Sequence, residues 1–98
     1  MRRDPGRRAV VTGVGAVTPI GNDAETYWRN LSAGVSGVAT IAAYDASKEE
    51  VRIAAEVKGF DPRDWIDFKA ARRMSRFSQL AVAAAAQAIA GPDGTLRW

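Results

Sequence analysis

"VVTGVGAVTPIGN", residues 10–22, sets three glycines behind a short apolar run. Such a stretch opens either a phosphate-binding loop or a turn that needs glycine for steric reasons alone. A dinucleotide-binding loop reads G-x-G-x-x-G between strand and helix, with an acidic residue about 20 positions further on. Gly13 and Gly15 fill the first two places, but the third falls on Thr18, followed by Pro19. The helical pattern starts near residue 23, too far along to aim its N-terminal dipole at a phosphate beside Gly15. No P-loop pattern occurs anywhere in the chain. The glycines therefore read as positions of tight turning and close backbone contact.

Outward from this stretch, Arg8–Thr12 is a short β-branched run bounded by glycine, which predicts a buried strand. Asn22 stands at an N-cap position with Glu25 three residues on, close to a capping box. Ala24, Tyr27, Trp28 and Leu31 recur at helical spacing, predicting an amphipathic helix over roughly 23–33, with Gly34 as its C′ residue. Residues 34–50 read as a loop with little regular structure. Val51, Ile53, Ala55 and Val57 alternate with Arg52, Ala54 and Glu56, predicting a half-buried strand. Asp61-Pro62 opens a helical turn. One long helix is then expected through "FKAARRMSRFSQLAVAAAAQAIAGPDG", buried all round in its alanine-rich half and ended by Gly91-Pro92. Strand, helix, strand, helix is an α/β pattern.

Composition bounds the function. The 98 residues are 47% hydrophobic and 26% charged, a globular balance. No run of apolar residues is long enough to span a membrane, and no signal peptide is read. The net charge of +3 resides in residues 1–8, which hold four arginines and one aspartate; the remaining basic and acidic residues balance. The high isoelectric point thus reports a tail rather than a nucleic-acid-binding face, and no nucleic-acid partner is expected. Trp28, Trp65 and Tyr27 read as core and interface packing, not a base-stacking platform. With no cysteine, a cytoplasmic setting is expected. The chain has neither cysteine nor histidine, so no catalytic residue, no metal site and no cofactor site is assigned.

At four places in order the sequence resembles the β-ketoacyl-acyl carrier protein synthase family, in particular its elongating type II members. These are "RRAVVTGVGAVTPIGN", "YWRNLSAGVSGV", "VRIAAEVKGFDP" and "RRMSRFSQLAVAAAAQAI". One departure is Met74-Ser75, where the family often has Met-Asp; another is the terminal "GPDGTLRW", which drifts from the family. The resemblance implies a thiolase-like fold, α-β-α-β-α in layers, with only the start of its first half present. It also implies a homodimer in the complete enzyme and a decarboxylative Claisen condensation between malonyl- and acyl-carrier protein. The cysteine and two histidines that perform it in the family have no counterpart here, so the isolated chain is expected to be inactive. Residues 1–8 are expected to form a disordered basic tail, and residues 9–98 a partial, truncated N-terminal ketoacyl-synthase domain. A polyketide ketosynthase, its silent partner chain, or a non-catalytic module binding an acidic protein are the alternatives.

Lys69, Arg72, Arg73 and Arg76 fall at i, i+3, i+4 and i+7, one side of the expected long helix. One reading is a solvated face, or arginines paired with Asp61, Asp64 or Asp67. The other is a dock for an anion or an acidic helix, because cations at a helix start oppose the dipole and do nothing for stability. The resemblance supplies a partner for the second: Lys69, Arg72 and Arg73 match basic positions that contribute to docking the acidic acyl carrier protein in related synthases. Arg76, between Met74 and Phe77, is expected to lean towards the core.

Overall fold

The computed structural model describes residues 5–90. After a 3₁₀ turn at Pro5–Arg7, the elements are α1 (Ala24–Ser32), β1 (Val38–Thr40), β2 (Ile53–Ala55), a 3₁₀ turn at Pro62–Asp64, α2 (Phe68–Ala71) and α3 (Arg76–Ala90). The Gly91-Pro92 stop lies outside the described residues.

Helix α1 forms where its periodicity places it, but the cap is Asp23 rather than Asn22. Asp23 has extended backbone angles, and its carboxylate accepts from the Thr26 amide at 2.8 Å and the Thr26 hydroxyl at 3.0 Å. The longer-range demands on Asn22 explain the shift by one residue: its side-chain amide donates to the Lys58 carbonyl at 2.8 Å. At the other end Gly34 takes φ +74°. The Gly34 amide bonds the Leu31 carbonyl at 3.1 Å and the Val35 amide bonds the Asn30 carbonyl at 2.9 Å, a Schellman closure.

The Thr26 amide holds the Asp23 carboxyl below the ordinary aspartate range, with smaller help from the Thr26 hydroxyl and Arg29. A depressed folded-state pKa stabilises above the unfolded value, so this contribution is present at neutral pH and is lost as pH falls through the folded pKa. Asp23→Ala should cost about 1 kcal/mol at pH 7. In urea melts the gap from the native chain should close below about pH 4; an unchanged gap at acid pH would remove the cap from the account.

The loop reading of residues 34–50 is corrected by β1, which pairs antiparallel with β2 in the register Val38–Ala55, Ala39–Ala54 and Thr40–Ile53. "VAT" is too short to declare itself by alternation, and the pairing is what makes it a strand. The Glu56 carboxylate supports the exit of β1, accepting from the amides of Ala42 at 2.9 Å and Ala43 at 3.1 Å. The strand read over residues 51–57 shrinks to three residues, and Val51 and Ile53 stand exposed.

The strand expected at Arg8–Thr12 does not form; Val10 and Val11 are exposed, Val11 at 84%. A strand exists only as half of a ladder, and no described segment offers this run its amides and carbonyls. The long helix is corrected too. It divides into α2 and α3, because the Gln79 side-chain amide at 2.9 Å and the Met74 amide at 3.1 Å both take the Ala71 carbonyl. A continuous helix would give that carbonyl to the Ser75 amide. Within the described residues α3 is covered on one face only. Ala83 is fully buried and Ala90 nearly so, one face apart by two turns, while Phe77 is 77% exposed and Val82 is also exposed.

The buried apolar residues among those described are Ala46, Ala71, Ala83 and Ala90. The radius of gyration is 17.0 Å, against about 13 Å for a compact domain of ~100 residues. Within the described residues the chain does not close over its larger apolar side chains. Trp28, read from the sequence as core and interface packing, is 67% exposed within this chain. No helix among the described residues is long and apolar enough to cross a membrane.

Candidate functional site

The glycine stretch is a packing joint. A methyl group built on Gly13 would fall on the Ala88 carbonyl oxygen, and one on Gly15 on the Ala84 carbonyl oxygen. The two glycines thus lay the backbone directly against α3, one turn apart, with no room for a phosphate. Carbonyl oxygens would also repel one. Gln87 secures the joint: its side-chain oxygen accepts from the Ala16 amide at 3.0 Å, and its amide donates to the Asn22 carbonyl at 2.6 Å. From the other side, the Asn30 amide donates to the Ile20 carbonyl at 2.5 Å. A glutamine inside the alanine-rich half of α3 was the available signal, since a polar group there needs partners.

The basic residues gather around the break between α2 and α3. Lys69 lies within α2, Arg72 caps its end, Arg73 follows in the turn and Arg76 begins α3. They share one bend rather than one straight helical stripe, which corrects the expected geometry. All four are exposed, including Arg76, which does not lean into the core. The Arg72 guanidinium lies over the Phe68 ring at 5.7 Å, and that of Arg76 over the Phe60 ring at 4.9 Å. The i, i+4 spacing of Phe68 and Arg72 was legible; the Phe60–Arg76 contact spans sixteen positions and was not.

Asp61 and Asp67 are engaged elsewhere. Asp61 and Arg63 form a 2.9 Å ion pair, and the Arg63 side chain, followed by its amide, holds the Asp61 carboxyl below its ordinary range. Asp67 caps α2, accepting from the amides of Lys69 at 3.2 Å and Ala70 at 3.4 Å. Among the described residues Lys69, Arg72, Arg73 and Arg76 make no ion pair. The pairing with Asp61, Asp64 or Asp67 that one reading offered is not found among the described residues. What remains is an exposed positive surface with no ion pair among the described residues, suited to meeting an acidic partner. No group of three or more acidic, histidine or cysteine side chains that could hold a metal occurs among the described residues.

This α/β arrangement is that of a ketosynthase of thiolase-like fold. A solved structure titled "The ishigamide ketosynthase/chain length factor" superposes with a TM-score of 0.69 at 32% identity, covering 87% of this chain and 22% of that one. The family profile described as "Beta-ketoacyl synthase, N-terminal domain" matches residues 6–93, and the chain belongs to that family. Among curated relatives, a 3-oxoacyl-acyl carrier protein synthase 2 from Synechocystis sp. is 48% identical over 83 residues. The protein of the same name from Staphylococcus aureus is 47% identical over 83 residues. Each alignment covers 85% of this chain and 20% of the relative, so the chain spans about a fifth of the length of these relatives.

Proposed function

We propose that this chain is an N-terminal-domain segment of a 3-oxoacyl-acyl carrier protein synthase of the elongating type. In this reading the complete enzyme condenses malonyl-carrier protein with an acyl group received from another carrier. Loss of CO₂ leaves a carbanion that attacks the acyl thioester, and residues outside this sequence supply the thiol and imidazoles. Support comes from relatives named 3-oxoacyl-acyl carrier protein synthase 2 at 47–48% identity, against 32% for the ketosynthase/chain length factor. A homodimer and a cytoplasmic setting belong to the proposal.

Within it, Lys69, Arg72 and Arg73 form part of the surface that docks the acidic carrier. The observation that carries this is their exposure without a described ion pair at the α2–α3 bend. Arg72 and Arg76 gain from lying over the Phe68 and Phe60 rings, so the docking reading rests most on Lys69 and Arg73. Contacts of this kind steer encounter and are screened by salt, over a Debye length of about 8 Å at physiological ionic strength.

Reversing Arg73 to Glu in a complete synthase carrying this segment should raise KM for carrier-bound substrate roughly tenfold, with kcat within about twofold. The defect should shrink at high salt, and a free pantetheine thioester should be processed as before. Equal damage to that small substrate would make the arginine structural and end the docking role.

A further inference from the structure

We propose that Ser75 is a phosphorylation site for an arginine-directed serine/threonine protein kinase, and that its modification weakens carrier docking. The regulatory half rests on the docking role proposed above; the site itself does not.

Arg72 and Arg73 stand three and two positions before Ser75, and Arg76 follows it directly. Of the five serines in the chain, Ser75 alone has arginine at both preceding offsets. Kinases choose substrates largely by charge pattern, and an acidic substrate groove selects basic residues ahead of the acceptor. Such a groove needs the acceptor hydroxyl exposed at the surface. Ser75 meets this, lying between the end of α2 at Ala71 and the start of α3 at Arg76 with its side chain exposed; its carbonyl takes the first bond of α3, from the Gln79 amide at 3.1 Å. Its hydroxyl contacts the Ser78 hydroxyl at 3.0 Å on the surface, a contact that solvent or an incoming phosphate can replace. Ser78 is a poorer acceptor, being half-buried inside α3 with a single arginine two positions before it. Arg72 and Arg73 are exposed and make no ion pair among the described residues; Arg72 would exchange its contact with the Phe68 ring for the groove.

In the transfer, the Ser75 Oγ attacks the γ-phosphorus of ATP. The Oγ–P bond forms as the bond between that phosphorus and the ADP oxygen breaks; ADP leaves, and the hydroxyl proton passes to a carboxylate base of the kinase. The new group brings a charge of about −1.5 to −2 at neutral pH and three acceptor oxygens. These lie among arginines, whose guanidinium groups form their strongest hydrogen bonds with such anions. Roughly half of the positive charge supplied by Lys69, Arg72, Arg73 and Arg76 is thereby cancelled where an acidic carrier would meet it.

The test has two arms. In the first, the full chain is incubated with ATP and an arginine-directed serine/threonine kinase and read by mass spectrometry. One phosphoryl group on Ser75 is expected, absent from Ser75→Ala and retained in Ser78→Ala. Modification only at another serine, or none, overturns the site. In the second, the phosphorylated complete synthase should bind acyl carrier protein roughly tenfold more weakly at low salt, the difference shrinking at high salt. Ser75→Ala treated with the kinase should bind normally. Phosphorylation at Ser75 with unchanged affinity overturns the regulation while the site stands. If the unmodified synthase binds carrier with no salt dependence, the docking role fails, and the regulation with it.

Discussion

Gly15→Ala should cost about 3 kcal/mol or more, the largest effect expected of any single methyl group added to this chain. The added carbon lands on the Ala84 carbonyl oxygen, and its other neighbours are the Ala84 carbonyl carbon and the Gln87 Cβ at 2.8 Å. None of these is the free end of a flexible side chain, so relief requires the 13–16 backbone to lift away from α3. That movement would break the Gln87–Ala16 hydrogen bond as well. Gly34→Ala is the control: the space around Gly34 is open, and only its positive φ is strained, at about 1–2 kcal/mol. Denaturant melts of a complete synthase carrying each substitution would measure both. If Gly15→Ala costs no more than Gly34→Ala, the packing joint is not tight and this account of the glycines fails.

Gln87→Leu should follow at about 2–3 kcal/mol, because similar bulk is kept while the Ala16 amide and the Asn22 carbonyl both lose their partner. Gln87→Glu separates the two bonds. It keeps an acceptor for the Ala16 amide but sets a carboxylate against the Asn22 carbonyl, which favours the protonated acid. The folded-state pKa of the new glutamate would therefore lie above its unfolded value, and its deficit relative to the native chain should shrink as pH falls through that pKa. A deficit independent of pH would place the cost in packing rather than in the lost donor.

Much of the local structure was legible because its causes are local. Helix α1 follows from its periodicity and its C′ glycine, and the turn at Pro62–Asp64 from an aspartate cap before proline. The capping residue was missed by one position because Asn22 and Asp23 are both good caps. Only the distant claims on Asn22, from Lys58 and Gln87, decide between them. The basic cluster was legible as composition but not as shape. Good helix formers at residues 69–74 argue for one straight helix, and the Gln79 amide on the Ala71 carbonyl ends it.

By itself the sequence determined the absence of thiol and imidazole side chains, the misfit to a dinucleotide loop and the resemblance to ketoacyl synthases. Each of these depends on residue identity, spacing or order along the chain, which no fold can alter. The tertiary structure decided where α2 gives way to α3, which face of α3 receives the glycine backbone, and that "VAT" is a strand while Arg8–Thr12 is not. The physical reason is common to all three. A carbonyl, an amide or a methyl-sized gap has no fixed meaning until another part of the chain arrives to occupy it, and that arrival is set by contacts many residues apart.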